Sequence, residues 1–166
     1  MSSWNPQDAP AGSICIDETG WLRPGRRVRS ENCDERPVGC SVDAVIIHCI
    51  SLPEGRYGTG DVERLFTNCL DCAGEPSYAD LKGLRVSAHL LIDRLGALTQ
   101  FVSFDRRAWH AGVSCLEGRE RCNDFSVGIE LEGTDHERFE APQYDRLNQI
   151  LGLLAGRYPD IVGTRI

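Results

Sequence analysis

The stretch Phe-Ser-Val-Gly-Ile-Glu-Leu-Glu-Gly, residues 125–133, decides the fold of this chain. Apolar and polar residues alternate strictly along it, which predicts a half-buried β-strand. The apolar face carries Val127, Ile129 and Leu131, and the other face carries Gly128, Glu130 and Glu132. A carboxylate in the middle of a strand face costs free energy unless it borders a cleft or is paired. Glu130 is therefore the better candidate for a general base, whereas Glu132 lies near the strand end and is expected to be solvated.

A second strand is predicted upstream, at residues 43–50, where the run Asp-Ala-Val-Ile-Ile-His-Cys-Ile is too apolar for a solvated edge. We expect a buried central strand with His48 near its exit. A histidine held there suits a metal ligand or a base. The alternatives are a hydrogen-bonded core histidine at position 48 and, for Glu130, an exposed sheet face with two solvated glutamates. Cys49 points away from His48 on a strand, which excludes a Cys-His nucleophile pair.

Length and composition favour one domain that carries the whole function. We expect a flexible segment at residues 1–20 and the folded domain at 21–166. The net charge of −7 argues against nucleic acid as the main partner. The chain has no secretory leader pattern and no run of about 18 apolar residues, so we expect a cytoplasmic protein without a membrane partner. Its eight cysteines are then expected to be reduced thiols.

The remaining elements follow from periodicity and turn residues. A short helix is predicted at 61–68, capped by Thr59 or Asp61, and a long amphipathic helix at 141–158. Alternation over 84–92 predicts a strand that places Arg85, Ser87 and His89 on one face, with an antiparallel partner at 97–102. The basic segment 20–28 is expected to be irregular, residues 104–123 to form a long functional loop, and 161–166 to begin a strand or turn.

Two further groups of side chains are candidates for binding. Cys69-x-x-Cys72 is half of a zinc pattern without a matching second pair, so a cysteine-rich zinc or redox protein is a minor alternative. Only one of the 18 basic residues is a lysine, Lys82, so an anion would be bound almost entirely by arginine. Arg85, Arg119 and Arg121 are candidates to clamp a peptide carboxylate, although surface arginines are more often simply solvated.

Five motifs, in this order and at this spacing, together resemble the zinc N-acetylmuramoyl-L-alanine amidase family from about residue 21 to residue 162. They are Ile-Ile-His-Cys-Ile-Ser-Leu-Pro (46–53), Leu-Arg-Val-Ser-Ala-His (84–89), Arg-Ala-Trp-His-Ala-Gly-Val-Ser (107–114), Gly-Arg-Glu-Arg-Cys-Asn-Asp-Phe (118–125) and Ser-Val-Gly-Ile-Glu-Leu-Glu-Gly-Thr-Asp (126–135). The resemblance implies an α/β domain with a mixed β-sheet flanked by helices, as in peptidoglycan-recognition proteins.

The resemblance also implies an activity, which is hydrolysis of the amide between the lactyl group of a (1,6-anhydro)-N-acetylmuramyl sugar and L-alanine. It implies Zn²⁺ as cofactor, His48 as the first zinc ligand, and Glu130 as the carboxylate that helps to activate the attacking water. The positions that match the family's substrate groove are Tyr78, Arg85, Trp109, His110, Ala111 and Arg121. The expected partner is a small anhydromuramyl peptide from peptidoglycan recycling.

Two departures from the family pattern qualify these expectations. Cys49 stands where relatives commonly have Asn, which alters one polar substrate contact. A second His, a Lys and an Asp of the family are expected shortly after Ile166, so we expect a chain that lacks its C-terminal end and binds zinc poorly. The alternative function is a muropeptide-binding module or inactive remnant without catalysis.

Overall fold

The structure is a computed structural model that describes residues 14–162. Eleven strands and two α-helices are formed in that range, together with two 3-10 helices at Pro76–Leu81 and Cys122–Asp124. The strands are β1 (Cys15–Ile16), β2 (Leu22–Arg23), β3 (Arg26–Arg27), β4 (Cys33–Asp34), β5 (Ala44–Ile50), β6 (Leu90–Ile92), β7 (Leu98–Gln100), β8 (Arg107–Ala108), β9 (Cys115–Leu116), β10 (Arg119–Glu120) and β11 (Ser126–Glu132). The helices are α1 (Asp61–Phe66) and α2 (Ala141–Arg157).

The main sheet has five strands in the order β3-β7-β6-β11-β5. β11 runs parallel to both β5 and β6, while β6 and β7 form the antiparallel hairpin predicted from the sequence. The sheet is therefore mixed, as expected. Three two-stranded pairs, β1-β2, β4-β8 and β9-β10, surround it.

The two faces of the sheet pack against different helices. Val127, Ile129 and Leu131 of β11 pack on Ile150 and Leu154 of α2. The opposite face packs through a second buried cluster, which includes Val62, Leu65 and Phe66 of α1. This alternation confirms the α/β single-domain prediction. Within residues 14–162 no helix is both long and apolar enough to cross a membrane.

The long helix is attached to the sheet by a buried amide at its first turn. The Nε2 atom of Gln143 donates to the carbonyl oxygens of Ile92 (3.3 Å) and Glu132 (3.0 Å), and its Oε1 accepts from the backbone N–H of Glu140 at 2.9 Å. Because these carbonyls lie at the ends of β6 and β11, the amide joins the first turn of α2 to the ends of two neighbouring strands. Helix α2 thereby fixes the end of the strand that carries Glu130.

The structure corrects several predicted elements. β5 is not central but lies at one edge of the five-stranded sheet, and its second half is only partly buried. The predicted strand 84–92 is formed only at Leu90–Ile92, because the Ser87 N–H bonds the Trp109 carbonyl at 3.0 Å instead of a sheet partner. The basic segment expected to be irregular contains β2 and β3, and the predicted long loop contains β8, β9 and β10.

Two expectations fall wholly or partly outside the described residues. The predicted flexible segment 1–20 is described from residue 14 onward, where β1 pairs with β2. The predicted strand or turn at 161–166 is described only for Ile161 and Val162, which are in neither a helix nor a strand. The helix predicted at 61–68 is shorter than expected, since α1 ends at Phe66. Gly60 is its N-cap, although Thr59 Oγ1 accepts from the Asp61 N–H at 3.1 Å.

Candidate functional site

His48 and Glu130 face each other across two neighbouring strands. The parallel register of β5 and β11 pairs their Cα positions directly. Residues at directly opposite positions of neighbouring strands point to the same face, with strands about 4.8 Å apart. The sheet therefore brings the predicted metal ligand and the predicted general base to one place, at the edge strand.

Glu130 is a buried carboxylate without compensation. Among the groups of residues 14–162, none makes a hydrogen bond with its Oε2 atom. Burial penalises the charged form and raises the pKa of Glu130 to about 8. An uncompensated buried carboxylate is costly for stability and is typical of a site that handles protons or binds a cation.

His110 packs directly against His48. The Nδ1 atom of His110 lies 3.0 Å from Nε2 of His48, and its Nε2 atom lies 3.2 Å from Oγ of Ser126. Its ring covers Gly128, where a Cβ atom would come within 2.3 Å of the His110 Cγ atom. Only glycine at position 128 leaves room for this ring, so the residue that interrupts the polar face of β11 is explained by His110.

Burial also controls the charge of these histidines. It lowers the pKa of His48, and it lowers that of His110 to about 3, with the charges of His48 and Arg36 adding to the effect. Both rings are therefore neutral near pH 7. A neutral imidazole has one nitrogen with a free lone pair, which is the form that binds metal ions.

Sequence reasoning missed the layer beneath His110. His89 is completely buried, and its Nδ1 atom accepts from the Gly128 N–H at 3.0 Å, so it faces the core and not a cleft. Arg36 donates to the carbonyl oxygens of Phe104 and Ser126, among others. Burial lowers the pKa of Arg36 to about 10. No local pattern reveals these residues, because every partner lies far away in the sequence.

The residues matched to the substrate groove occupy different environments. Trp109 and Ala111 flank His110, and Ala111 donates its N–H to Asn123 Oδ1 at 2.8 Å. Tyr78 is buried and donates to Asp61 Oδ2 at 2.8 Å, and burial together with this bond raises its pKa to about 12. The substrate roles of these three residues stay predictions.

The candidate arginines are arranged along the surface. Arg85 is exposed beside Leu84, at a shallow cavity lined also by Leu65 and Leu81. Arg121 is exposed on a backbone turn with a positive φ of 62°, and its Nε atom lies 3.1 Å from Asp124 Oδ2. Both guanidinium groups are accessible to a ligand, and their proposed roles are likewise untested.

Arg119 differs from the other two arginines, since it pairs with Asp43 at 2.5 Å and lies over the Phe125 ring at 3.6 Å. This packing at the end of β11 accounts for Arg119 without a ligand.

His48 and Glu130 supply two of the donor types that bind a divalent cation, an imidazole and a carboxylate, which is fewer than the three protein ligands of a catalytic zinc site. His48 uses Nε2 toward His110, and Glu130 offers a buried oxygen that lacks a donor. A cation would supply the missing positive charge, and imidazole and carboxylate are both ordinary zinc ligands.

A separate group of metal-binding side chains within residues 14–162 consists of Glu54, Asp135 and His136, whose ligand atoms lie within 4.8 Å of one another. All three residues are exposed, and such acidic surface groups are common without a metal. The group includes neither His48 nor the pair Cys69 and Cys72.

Comparison with known proteins finds a matching family for the chain. The family model described as N-acetylmuramoyl-L-alanine amidase matches residues 38–165. The chain is 49% identical over 151 residues to the 1,6-anhydro-N-acetylmuramyl-L-alanine amidase AmpD of Citrobacter freundii, covering 91% of this chain and 80% of that protein. It is 44% identical to the AmpD of Haemophilus influenzae over 149 residues, which are 90% of this chain and 81% of that protein.

Solved structures agree with these relatives. A crystal structure of a selenomethionine AmpD derivative superposes with a TM-score of 0.84 at 49% identity, covering 87% of this chain and 80% of that chain. AmpDh3 of Pseudomonas aeruginosa, solved in complex with an anhydromuramic pentapeptide, superposes with a TM-score of 0.52 at 26% identity, covering 75% of this chain and 49% of that chain.

Proposed function

The chain belongs to the N-acetylmuramoyl-L-alanine amidase family, and from that premise we propose a specific reaction. It hydrolyses the amide between the lactyl group of 1,6-anhydro-N-acetylmuramic acid and L-alanine in muropeptides, with Zn²⁺ as cofactor. The matched relatives are named as amidases, and this favours an enzyme over a binding module without catalysis.

The observation that carries the proposal is the pairing of His48 with Glu130 on one sheet face. In it, a neutral imidazole lies opposite a buried carboxylate with one unpartnered oxygen. Neither side chain is part of the core between β11 and α2, because the apolar residues of β11 that pack on α2 lie on the opposite face of the strand. A metal-dependent hydrolase needs a proton acceptor close to a ligand of its cation.

In this proposal Glu130 carries the proton. It accepts a proton from the attacking water and returns it to the leaving nitrogen of L-alanine, because an amine leaves an amide only when protonated. When bound at His48, Zn²⁺ acts as a Lewis acid on the amide carbonyl and makes water more acidic. A nearby cation also favours the carboxylate form of Glu130, which burial alone disfavours.

The substrate is proposed to lie along the surface that follows β8. Trp109 and Ala111 flank His110 in the sequence, and the exposed guanidinium groups of Arg85 and Arg121 are available to carboxylates of the stem peptide. Local arginines can bind an anionic peptide although the chain as a whole is acidic. The complex of AmpDh3 with an anhydromuramic pentapeptide supports a ligand of this class. Action in the cytoplasm, without nucleic-acid or membrane partners, completes the proposal.

The test is hydrolysis of a 1,6-anhydro-N-acetylmuramyl-L-alanyl peptide by a full-length version of the protein that includes the expected second His, Lys and Asp, with products identified by mass spectrometry. We expect free 1,6-anhydro-N-acetylmuramic acid and a peptide that begins with L-alanine. A chelator should stop turnover, and added Zn²⁺ should restore it. Substrate that binds and stays intact in the presence of Zn²⁺ would contradict the proposal and support the binding module.

A pair of variants locates the metal. Cys69→Ser combined with Cys72→Ser should leave zinc stoichiometry and turnover unchanged, whereas His48→Ala should lower both. Zinc that is lost with the two cysteines and kept without His48 would instead support the cysteine-rich zinc protein.

A further inference from the structure

A chain of hydrogen bonds leads from His48 into the core. It begins at Nε2 of His48, passes through both ring nitrogens of His110, and reaches Oγ of Ser126. Ser126 in turn donates to the carbonyl oxygen of Cys122 at 2.6 Å. Ser126 is fully buried. The protons of this chain can be assigned from its far end.

The assignment starts from the single proton of the Ser126 hydroxyl. Because this proton is donated to the Cys122 carbonyl, the Ser126 oxygen can only accept at its other contact. Nε2 of His110 must therefore carry a proton, and Nδ1 of the neutral His110 ring has none. That bare nitrogen faces Nε2 of His48, which must donate to it. His48 is left with its lone pair on Nδ1.

We propose that His110 and Ser126 are positioning residues that hold His48 as the Nε2–H tautomer, with the Nδ1 lone pair free for a metal ion. The functional meaning of this tautomer rests on the proposed zinc-ligand role of His48, but the tautomer itself does not. Within residues 14–162 no hydrogen bond reaches Nδ1 of His48. A metal-binding histidine commonly donates its second N–H to a fixed acceptor, which sets the ring's tautomer and orientation.

The surrounding structure keeps the His110 ring from turning. Its backbone N–H donates to Asn123 Oδ1 at 3.1 Å, and the N–H of Ala111 donates to the same oxygen. The ring occupies the space that Gly128 leaves, with the centroid of the buried His89 ring 5.7 Å away. His110 is therefore a rigid acceptor, and the tautomer of His48 is set before any ligand arrives.

The experiment is nitrogen-15 NMR of the histidine rings in the metal-free full chain. The chain has four histidines, so single substitutions assign every ring. Long-range proton–nitrogen correlations distinguish the protonated nitrogen of a neutral ring from the bare one. We expect His48 and His110 both to be Nε2–H tautomers at pH 7.5. A His48 ring protonated at Nδ1 would overturn the proposal without need of any variant.

Ser126→Ala tests the far end of the chain. It removes the acceptor of the His110 Nε2–H, so both rings should lose their single dominant tautomer. Ser103→Ala is the matched control, because Ser103 is also buried and donates to a backbone carbonyl, that of Thr19, at 2.7 Å. It should leave the His48 and His110 signals unchanged. A folded Ser126→Ala protein with the tautomers of the unmodified chain would contradict the positioning role.

Zinc titration of the same labelled samples separates this proposal from the function on which it rests. Zn²⁺ should shift the Nδ1 signal of His48 selectively, and Ser126→Ala should weaken zinc binding by about 10-fold to 100-fold. If Zn²⁺ leaves His48 unshifted while the tautomers are as assigned, the proposed zinc site fails and the tautomer assignment stands. Unchanged zinc affinity in Ser126→Ala would show that the chain does not prepare the ligand.

Discussion

Glu130 and Glu132 lie two residues apart on the same face of β11, but they differ in their hydrogen bonds. Glu132 is buried with both oxygens engaged, since Oε1 accepts from the Gly58 N–H at 2.6 Å and Oε2 accepts from the Arg94 N–H at 3.4 Å. Glu130 is equally buried, yet none of the described residues donates to its Oε2 atom. The sequence predicts a solvated Glu132, and this is wrong.

The difference in hydrogen bonding indicates a structural role for Glu132 and a functional role for Glu130. Glu132 joins the loop after β5 and the hairpin turn after β6 to the strand, and its hydrogen bonds compensate its burial. Glu130 receives no such hydrogen bonds from the described residues, so burial raises its pKa. The charged carboxylate therefore destabilises the fold unless a proton or a bound cation neutralises it. A buried carboxylate is thus a sign of function only when its partners are missing.

The strongest test of the comparison removes the partner that faces Glu130. We expect His48→Ala to lower turnover of an anhydromuramyl peptide below detection, because the cation ligand is lost, while circular dichroism shows a retained fold. Zinc stoichiometry should fall in parallel. Full zinc binding by His48→Ala would contradict the ligand assignment.

A smaller effect is expected from Gly128→Ala. The new Cβ atom would lie 2.3 Å from His110 Cγ, so the ring must move and its hydrogen bond to His48 weakens. Overpacking of this kind costs about 1–3 kcal/mol of stability. Because His110, the hydrogen-bond partner of His48, is displaced, we also expect turnover to fall about 10-fold. Urea unfolding and initial rates measure the two effects.

Gly152→Ala in α2 is the control for that substitution. Its Cβ atom would meet nothing within 4 Å, so stability should rise by about 0.5–1 kcal/mol with unchanged turnover. Equal losses in both variants would show that the contact between Gly128 and His110 has no special weight.

The pH dependence of stability offers a third test. Because the folded pKa of Glu130 is raised to about 8, the folded protein keeps a proton that the unfolded chain releases above its ordinary pKa of 4.5. The contribution of Glu130 to the stability of the metal-free protein should therefore fall as pH rises toward 8, by about 1 kcal/mol per pH unit.

In the window from pH 6.5 to 8 the buried histidines are neutral in the folded protein, because their pKa values are lowered, but they still titrate near their ordinary pKa of 6.5 in the unfolded chain. This contribution is shared by the unmodified chain and Glu130→Gln, so the free energy of unfolding from urea curves should fall with rising pH in the unmodified chain relative to Glu130→Gln. Parallel slopes for both proteins would remove Glu130 as the cause.

The smallest effect is expected at the substrate surface. Arg121→Ala should raise KM for an anhydromuramyl peptide by about threefold with little change in kcat, because one exposed ionic contact contributes only modestly. Arg26→Ala is the control, since Arg26 is also exposed, pairs with Glu63 at 2.6 Å, and lies on β3 at the other edge of the sheet. Equal KM values for both variants would leave Arg121 without a substrate role.

The sequence predicts the elements whose information is local. Alternation places β11, the hairpin residues predict β6 and β7, and the apolar stripe predicts α2 almost to its ends. The family motifs name His48 and Glu130, which the register of β5 and β11 then places opposite each other.

Features that depend on distant partners are not predictable in this way. The apolar run of β5 suggests a central strand, but β5 has a neighbour, β11, on one side only. Whether a strand lies in the middle or at the edge of a sheet depends on the topology of the whole chain. The alternating pattern predicts that His89 and Arg85 lie on the same strand face. The strand begins only at Leu90, however, and the His89 ring is buried in the core while Arg85 is exposed. The one local signal for the packing of His110 is Gly128, a glycine among carboxylates on a strand face.

The most direct measurement of the central claim compares two matched carboxamide variants in the same hydrolysis assay. Glu130→Gln should lower kcat by about 100-fold or more, because the proton acceptor is lost while shape is kept. Glu132→Gln should keep kcat within about threefold and instead lower stability by about 1–2 kcal/mol, because a satisfied charged hydrogen bond is weakened. Equal losses of kcat, or a larger loss for Glu132→Gln, would contradict the assignment of Glu130 as the group that carries the proton.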